Sequence, residues 1–263
     1  IEILIDGFGG IHRFFAPVLG GLYTLIINSI EILSLGAFVA TLIFLIRRNL
    51  LSLPRFEGYE LKGWPHRDAN LILIGEIVLL VGIFTMNGAD VLLQQIDPVH
   101  YPDTGTLAVS SWLGPLLFGG LEQGTLVILE RIGWWLHIIA VFAFLNYLPM
   151  SKHLHILLAF PNTYFARLSN KGKVDNMPEV MKEVKSMMDP EAAFDDAAMD
   201  AELPEFGAND VMGLSQRDIL GAYTCTECGR CTSECPANIT GKKLSPRKIM
   251  MDTRDRLEEV GKQ

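Results

Sequence analysis

The stretch "TLVILERIGWWLHIIAVFAFLNYL", residues 125–148, holds only Glu130 and Arg131 as fully charged side chains. It exceeds the roughly 20 apolar residues that a bilayer core demands of a helix. Residues 19–46 and 70–92 read the same way, so three membrane spans are expected. The composition agrees: 49% of the 263 residues are hydrophobic, yet the net charge is −8, which requires the charges to be segregated along the chain.

The loops orient the spans. Arg47, Arg48, Arg55, Lys62 and Arg67 lie between the first two, whereas residues 91–124 contain no Lys or Arg. Positive charge collects on the cytoplasmic side, so the first loop is read as cytoplasmic and the second as external. The third span then runs inward and places everything after Pro149 in the cytoplasm. Residues 107–121, "LAVSSWLGPLLFGGL", are apolar but short and broken by Gly114, Pro115, Gly119 and Gly120. A fourth crossing there would export the cysteines discussed below, so the segment is expected to be an external cap. Residues 1–20 fall on the same outer side, with "IEILI" read as the tail of an earlier helix. No secretory leader is recognised, and both ends are expected to continue in a longer chain.

Residues 174–210 carry eleven acids against Lys182 and Lys185 and are expected to be a solvated linker with short helices at most. Beyond it stand all four cysteines, Cys225, Cys228, Cys231 and Cys235, in "CTECGRCTSECPA". C-x2-C-x2-C-x3-C-P is the spacing of bacterial ferredoxin loops. There the first three thiolates hold one 4Fe-4S cluster, and the fourth ligates the other cluster where two are present. Structural zinc usually draws on two separated ligand pairs, and no second cluster of Cys or His follows here. A disulfide is disfavoured on the reducing side of a membrane. Ser215 with Asp218 forms a capping box before this loop, and Ser245-Pro246 starts a helix that Gly261 can end.

His137 lies inside the third span and His155 follows 18 residues later. That is about five helical turns, which sets both on one face about 27 Å apart, with Pro149 expected to bend the helix between them without cancelling the register. Ionisable groups inside a membrane are usually functional, and the pair is read as axial ligands of two b haems. The competing reading is a locally satisfied imidazole at each position. His153 cannot share that face and is read as interfacial; His12, His66 and His100 are read as surface residues. The glycines of "GFGG" and "GPLLFGG" lack a strand-helix context and are read as turn and packing residues.

The run "HIIAVFAFLNYLPMSKHLH", residues 137–155, resembles the last helix of cytochrome b of the nitrate reductase gamma-subunit type. Together with "SKHLHILLAFPNTYF", the acidic linker and "CTECGRCTSECPANITGKKLSPRKIMMDTRDRL", the chain is similar to membrane-bound iron-sulfur oxidoreductases related to heterodisulfide reductase. These include menaquinone reductases fed by electron-transfer flavoprotein. The resemblance implies an all-α membrane bundle, with three spans here and more in the parent protein, followed by a small ferredoxin-like module. It implies residues 1–168 as the cytochrome b-like domain, 169–213 as linker and 214–263 as the incomplete iron-sulfur module. It also implies two b haems bound through His137 and His155, a second ferredoxin motif downstream, and menaquinone as substrate. The partner would be electron-transfer flavoprotein or a cysteine-rich redox subunit, in a bacterial cytoplasmic membrane with the module on the cytoplasmic face. Nucleic acid is not expected.

In the resembling cytochromes the quinone pocket borders the outer haem, here that of His137. Glu130 would exchange protons, Arg131 would hold a carbonyl oxygen, and Trp134 and Trp135 would pack on the head group. The expected function is electron transfer from a cytoplasmic donor through the cluster and haem b to menaquinone. The alternatives are the reverse flow, from quinol to a disulfide substrate, and a membrane scaffold with a zinc site. A topology reporter fused near Pro102 should read as external and one near Glu57 or Ala198 as cytoplasmic. The same side for Pro102 and Ala198 would make residues 107–121 a true span.

Overall fold

The computed structural model describes residues 2–9, 12–51, 53–170, 172, 176–188 and 207–262. No strand occurs among them. Contacts divide the chain into two units, Ile1–His153 and Leu154–Gln263.

The first unit contains α1 (Glu2–Gly9), α2 (Ala16–Leu19), α3 (Gly21–Asn49), α4 (Trp64–Ile96), α5 (Ser110–Phe118) and α6 (Gln123–Tyr147). Three helical stretches, Gly21–Asn49, Trp64–Ile96 and Gln123–Met150, are long and apolar enough to cross a membrane. Their outer faces remain apolar: Leu25, Leu33, Ile128 and Leu145 are each at least 60% exposed, which suits lipid rather than water. Arg47 and Arg48 close the last turn of α3, where the helix dipole favours cations. Pro65 sits in the first turn of α4, where its missing N–H costs nothing.

α4 is the central element, contacted by α3, α5 and α6. Two glycine pairs set how closely its neighbours approach. A Cβ on Gly133 of α6 would stand 2.5 Å from the Met86 nitrogen and 2.8 Å from the Gly82 oxygen. One on Gly114 of α5 would stand 2.4 Å from the Gly88 oxygen. Small residues at crossings let helix backbones touch, the usual packing device in lipid, where burial of apolar surface gives no drive. Pro115 and the nine-residue length of α5 make it too short to span. Its N-terminus is held from α3: Glu31 accepts from the backbone N–H groups of Val109 and Ser110 at 2.8 and 3.1 Å, and from the Ser110 hydroxyl.

α6 does not run on to His155. It ends at Tyr147, gives way to 3-10 turns at Leu148–Met150 and Lys152–Leu154, and passes through an extended Ser151 with ψ 161°. Pro149, which cannot donate to the helical ladder, lies at the break. The continuous 18-residue register assumed for His137 and His155 is therefore absent, and the two rings are not in phase by helix geometry. Asp68 spans the break, accepting from the Tyr147 hydroxyl and from the Lys152 N–H at 3.1 Å.

The second unit contains α7 (His155–Tyr164), α8 (Pro178–Met188), α9 (Gln216–Tyr223), α10 (Arg230–Ser233), α11 (Pro236–Ile239) and α12 (Pro246–Gly261). By its contacts α7 groups with this unit. Ser215 accepts from the Asp218 N–H at 3.2 Å and Ser245 from the Lys248 N–H at 3.3 Å, so both expected caps are present. Of the acidic linker, α8 is seen and residues 189–206 lie outside the described residues.

Gly133→Ala should destabilise the bundle by about 1–3 kcal/mol, because the methyl meets backbone that cannot give way. Gly36→Ala, in open space on α3, should not. Melting curves of the purified protein in detergent compare the two.

Candidate functional site

The cysteine loop begins where α9 ends. Two residues in left-handed conformation turn it: Glu227 at φ 57° and Gly229 at φ 76°. Gly229 adopts this freely, but Glu227 does so at a cost of order 1–2 kcal/mol. Glu227 is only 4% exposed, and its side chain is held by Arg254 of α12 at 2.9 Å. This contact fixes the backbone between Cys225 and Cys228, and the Glu227 N–H donates to the Cys225 sulfur. Burial pushes the Cys225 thiol above its ordinary value, with that N–H opposing.

Cys228 and Cys231 are exposed, Cys225 and Cys235 half-buried, and none is in a disulfide. Cys235 leads into α11 with Pro236 at its first position. Among the described residues no three His, Cys, Asp or Glu side chains stand close enough to grip one metal ion. Four reduced thiols on one loop, two of them open to solvent, are a donor set that suits a multi-iron cluster, which spreads its ligands wider than a single ion does.

His137 is half-buried on α6, and its Nδ1 lies 3.0 Å from the Leu79 carbonyl of α4. A carbonyl can only accept, so Nδ1 carries the proton and Nε2 keeps its lone pair. A metal-binding imidazole is usually oriented in this way. His155 opens α7 in the other unit.

The four residues read as a quinone site differ in exposure. Trp134 is 1% exposed, donates to the Ile3 carbonyl at 2.8 Å, and packs against Gly7, whose Cβ would stand 1.8 Å from the ring. It is a core residue and presents no free face. Trp135 is half exposed and edge-on to Trp134. Glu130 is fully buried; Arg131 Nε lies 3.0 Å from its Oε2 but off the donor axis, so neither oxygen gains a hydrogen bond.

Sequence reasoning missed a polar group at the C-terminal part of α4. Asp90 is fully buried and takes His12 Nε2 at 2.8 Å, Arg13 Nη2 at 2.7 Å and Gln94 Nε2 at 3.0 Å. Asp6 of α1 takes His12 Nδ1 at 3.3 Å and approaches Arg131 to 4.0 Å. Arg13 also reaches Asn87 at 3.0 Å, and Asn87 reaches Glu31 at 3.2 Å. His12, read as a surface residue, is thus clamped between two carboxylates. Burial opposes its charge, yet the bonds to Asp6 and Asp90 outweigh burial and push its pKa up to about 9. The signal was Asp90 itself, an acid within an apolar helix, but its partner lies 78 residues away. His100, read the same way, is exposed beside Asp97.

The chain is similar to three curated proteins. It is 32% identical over 157 residues to a probable iron-sulfur-binding oxidoreductase, FadF, of Bacillus subtilis, covering 57% of this chain and 20% of the relative. It is 27% identical over 136 residues to an EtfAB:quinone oxidoreductase of Syntrophomonas wolfei, covering 52% and 16%. Over 53 residues it is 36% identical to a probable membrane-anchored ferredoxin of Chromohalobacter salexigens, covering 20% and 8%. The matches thus span a fifth or less of each relative's length. No family model matches the chain, and no solved structure does. These relatives place the chain beside iron-sulfur oxidoreductases.

The raised pKa of His12 sets a pH dependence. Its pairing with Asp6 and Asp90, beside Arg13, Arg131 and the Tyr101 ring, contributes fully below about pH 6.5. That contribution is lost as pH rises through about 9. The melting midpoint should fall over that window, and His12→Gln should start lower and lose most of the slope.

Proposed function

We propose that the chain is the membrane electron-transfer portion of a quinone-linked oxidoreductase. Electrons pass from a cytoplasmic donor, through a 4Fe-4S cluster and haem b, to menaquinone in a bacterial cytoplasmic membrane. The observation that carries this reading is the cysteine loop: four free thiols, at ferredoxin spacing, on a strained turn locked by Glu227 and Arg254. The relatives' names support it, as do three helices of membrane-spanning length.

When bound, the cluster supplies one-electron transfer outside the lipid and the haems supply it within; the chain's part is to hold and tune them. Cys225, Cys228 and Cys231 would hold one cluster, with Cys235 closing it or serving a neighbour. His137, oriented by Leu79, would offer Nε2 to the haem on its side of the membrane, and His155 would serve the other. Glu130 and Arg131 would serve quinone chemistry from beside the Asp6 carboxylate, with the half-exposed Trp135 ring packing on the head group. The charge bias of the loops supports a cytoplasmic module. That side suits a flavoprotein donor or a cysteine-rich redox subunit.

Iron, acid-labile sulfide and low-temperature EPR on the full-length protein test the reading. Cys228→Ser should abolish a cluster signal and lower iron and sulfide together. Zinc in place of iron, or an unchanged set of cluster signals in that variant, would overturn it.

A further inference from the structure

α7 carries an apolar stripe that is left open among the described residues. Ile156, Phe160 and Tyr164 follow at four-residue intervals, with Leu157 beside them, which sets all four on one side of the helix. All are exposed, Phe160 and Tyr164 at 76% and 82%. Phe165 and Leu168, just past the end of the helix, are exposed as well. Leu158 and Asn162, on the opposite side, are half-buried, and α7 packs against α9.

Water is a poor partner for a contiguous patch of this kind. The helix has ten residues, about 15 Å of length, which is half the hydrocarbon thickness of a bilayer. It is long enough to lie on a membrane and too short to cross one. Four residues separate His155 from Met150, the end of the third stretch of membrane-spanning length. Such a connection reaches at most about 18 Å. Whatever the orientation of the second unit, α7 therefore starts within reach of the lipid head groups at that end of the span.

Charge points to the same partner. Residues 151–173 contain Lys152, Arg167, Lys171 and Lys173 and no acid, whereas residues 174–210 hold eleven acids. Basic charge flanking an apolar, aromatic helix face is the chemistry that binds an anionic bilayer surface, with rings at head-group level and cations near the lipid phosphates. Continuity favours lipid over a protein partner, since the outer faces of the long helices that precede α7 are apolar too.

We propose that α7 lies flat in the head-group layer of an anionic membrane, with Ile156, Leu157, Phe160 and Tyr164 turned into the acyl boundary. α9, against which α7 packs, ends at Tyr223, two residues before Cys225. An α7 fixed in the lipid surface thus sets the height of the cysteine loop over the membrane. The assignment rests on the membrane-spanning helices and stands independently of the redox reading.

The test places the full-length protein in nanodiscs of phosphatidylglycerol with brominated acyl chains, a contact quencher of indole emission. Phe160→Trp and Tyr164→Trp each add a reporter to the stripe. Met212→Trp adds one at a position 79% exposed, on a turn that packs against α12. After subtraction of the unaltered protein's emission, bromine should lower the added signal about twofold or more in the two stripe variants and leave that of Met212→Trp unchanged. Melting midpoints equal to that of the unaltered protein establish that the fold is intact, as expected for substitutions at exposed positions. Absence of quenching in both stripe variants would overturn the proposal. Reporters shielded from a water-soluble quencher yet untouched by brominated lipid would overturn it in favour of a protein covering, a further segment or a second copy. Equal quenching in brominated phosphatidylcholine would overturn the part given to the cations.

Discussion

The contact between Gly82 and Gly133 is the constraint on which the rest of the membrane unit depends. At this crossing α4 and α6 meet backbone to backbone, and even one methyl would collide with main-chain atoms. The contact also sets the height of α6. A Cβ on Gly82 would stand 2.9 Å from the His137 nitrogen, so the turn that carries His137 is pressed against α4. The bond from His137 Nδ1 to the Leu79 carbonyl follows from that closeness. Six residues further along α4, Gly88 repeats the device for α5. Between lipid-facing helices, where apolar surface gains little by burial, shape of this kind carries most of the specificity.

Above the crossing the logic changes from shape to charge. Asp90 is buried in full and compensated by three donors, one of them a cation that cannot lose its proton and another a histidine held charged by two carboxylates. Ion pairs of this kind seldom add stability over apolar packing, since the desolvation of both partners offsets their attraction. Their presence points to a role other than holding helices together. They also organise the connecting chain: Asp6 belongs to α1, His12 and Arg13 to the turn after it, and Asp90 to α4, so a segment with few helical turns of its own is fixed by side chains.

Much of this was legible in the sequence, and the reasons differ by element. The three long helices are announced by run length alone, and the caps at Ser215 and Ser245 by local chemistry within three residues. The cysteine loop is legible because its ligands are all sequence neighbours. The break after Tyr147 was half legible: Pro149 marked it, but whether a proline bends or interrupts a helix depends on partners such as Asp68, 79 residues earlier. The burial of Trp134 was hidden because it depends on Gly7, and that of His12 because it depends on Asp90. In each case the deciding partner is remote in sequence, and a residue's own type and neighbours do not reveal it. Glu227 was hidden for another reason, since nothing in C-T-E-C announces a left-handed glutamate.

The Asp68 carboxylate has a mechanical meaning. It grips the chain on both sides of Ser151, through the Tyr147 hydroxyl before the extended residue and the Lys152 amide after it, while Lys152 Nζ is tied to the Pro65 carbonyl at 2.9 Å. The joint is thus clamped to the first turns of α4 before the second unit begins at Leu154. A pull or twist arriving from the second unit is stopped at this clamp, as at the collar where a cable enters a housing. The helix that carries His137 is thereby kept from sliding when whatever lies beyond it moves.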